Sequence, residues 1–201
     1  ASFIIGNYIL PRFLNNLKEN IHNDVSINVS VSHEAIEDLL DKKIDIALVE
    51  NYVSNDDIIY REWMEDEIVI FSNQRLPQKA KAEDLLSYKW VCRNPESNTR
   101  LIFKENLEKA NFPDCDTFNV TSEVTSATTI VQTVLHSDKN ATPTVSIVSR
   151  NAIESLLKSE ALFESRIGNQ KMLRKLYIAY RKDRKHDAFI ENVVDYLLKI
   201  K

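Results

Sequence analysis

Glycine is nearly missing from this chain: Gly6 and Gly168 are the only two among 201 residues. A nucleotide-binding α/β domain spends several glycines where a strand turns into a phosphate-gripping helix. Neither GxGxxG nor GxxxxGK[ST] occurs here. Asn, Asp and Ser must therefore make most of the turns. Cysteine is just as sparse. Cys92 and Cys115 are too few for a disulfide framework, and no CxxC or Cys/His spacing suits zinc. Cys92 follows Trp90-Val91 in an apolar run and reads as a small core residue, which points to a reducing cytoplasm. No apolar run is long enough to cross a membrane, and no secretory signal opens the chain. A basic excess is missing too. The 26 Lys and Arg against 30 Asp and Glu leave a net charge of -4, so this stretch lacks the clustered cations that nucleic-acid phosphates require.

Signatures of catalysis are also absent. There is no GxSxG elbow. The histidines His22, His33, His136 and His186 are scattered, with no HExxH. Asp56-Asp57 and Glu65-Asp66-Glu67 sit in turn-like stretches and read as solvated charges rather than an acid/base pair. The basic stretch Arg181-Lys182-Asp183-Arg184-Lys185 reads as a solvated loop. No catalytic residue, metal ligand or cofactor is assigned.

What the chain does have is hydrophobic patterning, with 43% hydrophobic residues and strand and helix periods alternating along it. Ile5, Ile9, Phe13, Leu17 and Ile21 recur at helical spacing, with Pro11 inside the run as a kink or late start. Val25, Ile27, Val29 and Val31 alternate strictly and predict a half-buried strand. Ser32 is placed to cap the next helix, and Ile44 to Val49 reads as a buried strand. Residues 58–63 and 67–71 predict two more strands, followed by a polar connector over 72–81. Beyond it come a helix near 82–86, a strand over 89–92 and a helix capped by Ser97. A strand over 116–121, a helix over 127–135 capped by Ser126 and a buried strand over 143–149 follow. Ser149 is set to cap a helix to about residue 157. A strand over 173–180 and a helix over 188–198 close the chain. This is an α/β class.

Three hydroxyl-bearing segments stand just ahead of helical patterns: Ser2-Phe3-Ile4, Ser97-Asn98-Thr99 and Thr125-Ser126. Helix starts carry unsatisfied N–H groups and the positive end of the helix dipole. Several aimed at one place would receive a small polar or anionic molecule. Ser2, Phe3, Ser97, Asn98, Thr99, Thr125 and Ser126 are the candidate binding residues. Arg100 either joins an effector or pairs with a neighbouring carboxylate.

Ala1-Ser2-Phe3-Ile4-Ile5-Gly6-Asn7-Tyr8-Ile9-Leu10-Pro11 resembles the opening of the regulatory domain of LysR-type transcriptional regulators. Lys43 to Val49, Asp66 to Ile70, Arg93 with Ser97 to Arg100, Ser126 to Val134, Val145 to Ser149, and Arg174 to Tyr177 with Lys182 to Arg184 resemble its later motifs in order. The resemblance implies two Rossmann-like lobes joined by two crossing strands, like type II periplasmic binding proteins. Lobe I would hold 1–72 plus 173–201 and lobe II 73–172. It implies a small-molecule effector in the inter-lobe cleft and no enzymatic activity. It also implies a cytoplasmic homodimer, with dimer or tetramer left open for the full-length protein. Promoter DNA would be bound by a winged helix-turn-helix upstream, with the first strand of lobe I ending near Ala1. Ile4 stands where the family has Thr, and Glu96 and Asn98 stand at two family glycines. Loop 136–142 replaces a Gly-x-Gly turn. Glu96 would repel an anion or welcome an amine. Two other functions share such a fold: a solute-binding protein feeding a transporter and, with no recognisable acid/base set to support it, a two-lobed enzyme.

Overall fold

A computed structural model describes residues 1–200; the end of the lobe I range, Lys201, lies outside them. The described chain divides into two compact units, Ala1–Asp66 with Lys175–Lys201, and Glu67–Arg174. Two strands, β2 (Ile58–Ser72) and β8 (Met172–Arg181), have residues in both.

In the first unit, the apolar run after Ser2 does not make one continuous α-helix. It opens as a π-type turn over Ile5–Ile9, tightens to a 3-10 turn over Leu10–Arg12 around Pro11, and becomes α1 at Leu14–Ile21. Proline has no N–H to donate and clashes with the turn before it, so the helix changes pitch there. α2 spans Ser32–Leu40, β1 spans Ala47–Val49 and α7 spans Ala188–Lys199. β1 runs antiparallel to β8, with Ala47 opposite Ala179 and Val49 opposite Tyr177. Ala35, Ile36 and Leu39 of α2 pack on Ala47 and Val49. Asp187 caps α7, its carboxylate accepting from the N–H groups of Phe189 and Ile190 at 2.9 and 3.2 Å. One expectation fails here. Residues 25–31 do not form a strand, and only Ser30 makes a bridge, parallel to Ser2. The alternation survives only over the first half: Val25 and Ile27 are half-buried and Ser26 and Asn28 exposed, but Val29 and Val31 are exposed as well. What is missing is a ladder, because an extended segment is a strand only where a neighbour takes its N–H and C=O groups. For the same reason the strand expected from Ile44 begins only at Ala47.

The second unit holds a mixed sheet. β6 (Thr144–Ser149) pairs antiparallel with β2 and parallel with β4 (Lys89–Arg93), and β4 pairs parallel with β5 (Asn119–Val124). Two strands escaped the sequence reading. β3 (Lys79–Ala80) lies inside the expected connector, and β7 (Phe163–Ile167) pairs with β2 and β3. The strand expected at 116–121 begins instead at Asn119, after a 3-10 turn over Cys115–Thr117, and the two strands expected at 58–71 are one. α3 (Ala82–Ser87), α4 (Asn98–Lys109), α5 (Ala127–Leu135) and α6 (Arg150–Lys158) complete the unit. Its core gathers Ile68, Ile70, Trp90, Phe103, Leu107 and Phe118.

The scarcity of glycine is resolved at the helix ends. His22, Lys42, Asn111 and Glu160 follow α1, α2, α4 and α6 and adopt left-handed backbone, with φ between 50 and 63°. They hold the position glycine usually takes after a helix. Gly6 is kept for a different reason: a Cβ there would come within 2.7 Å of Val29 Cγ2.

Arg166 of β7 grips Glu67 of β2 with both ends of its guanidinium, donating at 2.6 and 3.0 Å. These hydrogen bonds hold the Glu67 carboxyl below its ordinary value of 4.5, against the opposing pull of burial. A carboxyl depressed in the folded state stabilises fully above its unfolded pKa and loses that contribution as pH falls through the folded value. Arg166→Gln is therefore expected to lower stability by about 1–2 kcal/mol near neutrality. It should also flatten the loss of stability below about pH 4.5; urea titrations at several pH values measure both.

Candidate functional site

In the second unit, β4, β5 and β6 run parallel, so the helices that follow them all start at one edge of the sheet. Arg93 and Val124, the last residues of β4 and β5, lie opposite each other in register. α5 begins two residues beyond Val124, α4 follows Arg93 after a short turn, and α6 begins directly after β6. The carboxyl ends of parallel strands are where open α/β sheets receive ligands, because helix N–H groups converge there.

The predicted residues Ser97, Asn98, Thr99, Thr125 and Ser126 all fall on this edge. Their environments differ. Ser126 caps α5, its hydroxyl accepting from the Thr129 N–H at 3.3 Å. Ser149, whose capping role was expected but which was not among the binding candidates, accepts from the Asn151 N–H at 3.2 Å. Ser97 occupies the cap position of α4, yet its hydroxyl makes no capping bond to that helix. Ser97 and Thr99 are buried, Asn98 is half-buried, and Thr125 and Ser126 are exposed. Glu123, Val124, Thr125, Ser126 and Thr129 line a shallow hollow. Glu96 is exposed on the turn before α4.

Arg100 is engaged by its own neighbours. Its guanidinium donates to the Arg93 carbonyl at 2.9 Å and to Glu123 at 3.2 Å, and reaches Asp116 at 3.5 Å. The carboxylate-pairing alternative is the one found. Cys92 and Cys115 are both buried, and burial pushes the Cys92 thiol up to about 11. A protonated buried thiol is a poor nucleophile and a poor ligand. Among the described residues, Asp114, Cys115 and Asp116 come close enough together to suit a metal ion. Lys104 already bridges both carboxylates, at 3.1 and 2.8 Å.

In the first unit, Ser2 is buried and Phe3 is exposed. Sequence reasoning missed Glu50. Its carboxylate accepts from the Ser2 hydroxyl at 2.8 Å and from the Ile4 N–H at 3.1 Å. Its own N–H donates to the Ser32 hydroxyl at 3.4 Å. Ser32 opens α2 instead of capping it, since Val31 holds the cap position. Glu50 thus ties the turn that opens at Ser2 to the start of α2, through its carboxylate on one side and its backbone N–H on the other. The available signal was position: Glu50 directly follows a buried strand, where ligand-edge residues sit.

The family model for the LysR substrate binding domain matches residues 1–200. The HTH-type transcriptional regulator YeiE of Escherichia coli K12 is 26% identical over 200 residues, covering 98% of this chain and 65% of that protein. The chain thus spans about two thirds of the length of this curated relative. Among solved structures, the Synechocystis PCC6803 CcmR regulatory domain in complex with 2-PG matches with a TM-score of 0.77 at 17% identity, covering 99% of this chain and 94% of that one. The effector-binding domain of QuiR in complex with shikimate matches with a TM-score of 0.73 at 20% identity, covering 98% and 92%. Their fold is the α/β architecture expected from the sequence.

Proposed function

The chain belongs to the LysR substrate-binding-domain family, and we propose that it is the effector-sensing and oligomerising part of a cytoplasmic DNA-binding transcription factor. The observation that carries this reading is the shared edge of β4, β5 and β6. There, three helices present their N-terminal ends together with the hydroxyls of Ser97, Thr99, Ser126 and Ser149. Such an edge offers N–H and O–H donors under a positive dipole, which suits a small oxygen-rich metabolite. The regulators among its relatives favour reading it as a receptor rather than a catalytic site. The relatives of comparable fold that hold 2-PG and shikimate support a ligand of this kind.

Signalling then follows from differential affinity. A ligand that binds one conformation better than another shifts the population toward it, and a ligand with equal affinity shifts nothing. In the full-length dimer or tetramer that shift would alter how the upstream winged helix-turn-helix domains engage promoter DNA. The name of the Escherichia coli relative, an HTH-type transcriptional regulator, favours this over a transport protein.

A thermal-shift screen of metabolites, with 2-PG and shikimate among the first probes, tests the site. A ligand at a hundred times its Kd adds about 2.7 kcal/mol, or a rise of roughly 5–10 °C for a domain of this size. Thr99→Ala with Ser126→Ala is expected to abolish most of that rise. Loss of the Ser126 cap lowers the baseline by about 1 kcal/mol, so the increment on adding ligand is the quantity to compare. An increment unchanged by the double substitution would place the ligand elsewhere.

A further inference from the structure

The three helices that start at the edge of β4, β5 and β6 treat their first N–H groups differently. Ser126 and Ser149 cap α5 and α6. Ser97 stands at the cap position of α4 and makes no such bond. Among the described residues, the N–H groups of Asn98, Thr99 and Arg100 find no acceptor. The hydroxyls of Ser97 and Thr99 also make no hydrogen bond among the described residues, although these residues are only 8% and 7% exposed. Buried polar groups are normally paired, so an unmet set on one helix start marks a place for a ligand's oxygen atoms. N–H and O–H donors gathered under the positive end of α4 match a carboxylate.

The side chains next to this start carry the opposite sign. Glu96 is the only charged residue over 94–99, and Glu123 is the only one over 117–135. Glu123 lines the hollow before α5 together with Thr125, Ser126 and Thr129. It also lies close to the α4 start, because Arg100, the residue after Thr99, donates to its Oε2 at 3.2 Å. Its Oε1 has no donor among the described residues. The cations of this edge are already engaged. Arg100 is held by Glu123 and the Arg93 carbonyl, and Arg150, on the first turn of α6, donates to Glu164 at 2.7 Å. Arg93 has partners of its own. A second negative charge on a ligand would therefore meet carboxylates, whereas a positive charge would be attracted.

We infer that this edge receives a small zwitterion, an amino acid, with its carboxylate on the start of α4 and its ammonium group on Glu123. Glu96 adds attraction for the ammonium group from the turn before α4. Glu123 then sets specificity. An acid of the same shape without the amine places its carboxylate equally well but leaves Glu123 facing an uncharged group. A polyanion brings a charge that Glu123 and Glu96 repel. The inference rests on the receptor reading of this edge and adds the charge of the molecule it receives.

The test is a thermal-shift screen of this chain with the standard α-amino acids, followed by calorimetric titration of each hit beside its α-hydroxy acid. At least one amino acid is expected to raise Tm, and its hydroxy acid to bind about tenfold or more weakly. Glu123→Gln, whose amide oxygen can still accept from Arg100, is expected to erase most of that preference, and Glu96→Gln to reduce it in part. Thr99→Ala is expected to weaken both ligands alike, because it removes a donor to the carboxylate they share. A lack of response to every amino acid, equal binding of the hydroxy acid, or a preference that survives Glu123→Gln overturns the inference. The receptor reading survives those results if 2-PG, shikimate or another metabolite raises Tm and Thr99→Ala with Ser126→Ala abolishes the rise. It falls together with the inference if no metabolite does.

Discussion

Trp90→Ala is expected to remove about 3–5 kcal/mol of stability. Trp90 is 1% exposed at the centre of the second unit. Its ring stacks on Phe118 with centroids 4.9 Å apart and leans on Phe103 at 5.4 Å. Its indole N–H donates to the Leu85 carbonyl at 2.8 Å, tying β4 to the end of α3. Truncation to Ala leaves a large void among rings that cannot collapse into it, and it orphans that carbonyl. Against a typical total of about 5–15 kcal/mol, the loss approaches global unfolding. Thermal melts should show Tm lower by about 10 °C or more. Trp90→Phe refills most of the space and should be milder, losing chiefly the hydrogen bond. A variant with Ala that melts like the parent would mean that the aromatic cluster is not the keystone of this unit.

Trp63→Ala is expected to cost the first unit a similar amount, about 3–5 kcal/mol. Trp63 is 3% exposed; its N–H donates to the Leu197 carbonyl at 2.8 Å, and Phe13 meets its ring edge-on at 5.8 Å. One side chain thereby joins β2, the last turn of α7 and the turn ahead of α1. The two tryptophans lie in different units, so each single variant retains one intrinsic reporter. Urea titrations followed by circular dichroism measure the loss, and the fluorescence of the remaining tryptophan shows whether the other unit unfolds with it.

Much of the architecture was legible because caps and stripes agree. Ser126 followed by Ile130, Val131 and Val134 on one face fixes α5 at both ends. The misses have separate causes. β5 is almost wholly exposed, so no burial rhythm marks it, and its limits come from the ladder with β4. β7 carries Glu164 and Arg166, whose charges look loop-like until Arg150 and Glu67 are found beside them. β2 was divided because charged residues interrupt its middle. Residues 25–31 show the opposite case, strand patterning without a ladder. At the candidate site, Ser126 and Ser149 were readable from capping chemistry, whereas Ser97 holds the cap position without making the bond. Glu50 was not readable, because its meaning depends on the fold bringing Ser2 next to a residue 48 positions away.

The helix ends closed by His22, Lys42, Asn111 and Glu160 bear on the denatured chain as well as on the native one. A side chain forced into left-handed backbone is strained, by about 1 kcal/mol or more, in the folded protein. The same side chain narrows what the unfolded polypeptide can explore, whereas glycine would widen it. Two opposed contributions thus meet at each of the four positions. A chain this poor in glycine starts folding from a stiffer ensemble, with less disorder to surrender, and that offsets part of the strain it carries where its helices stop.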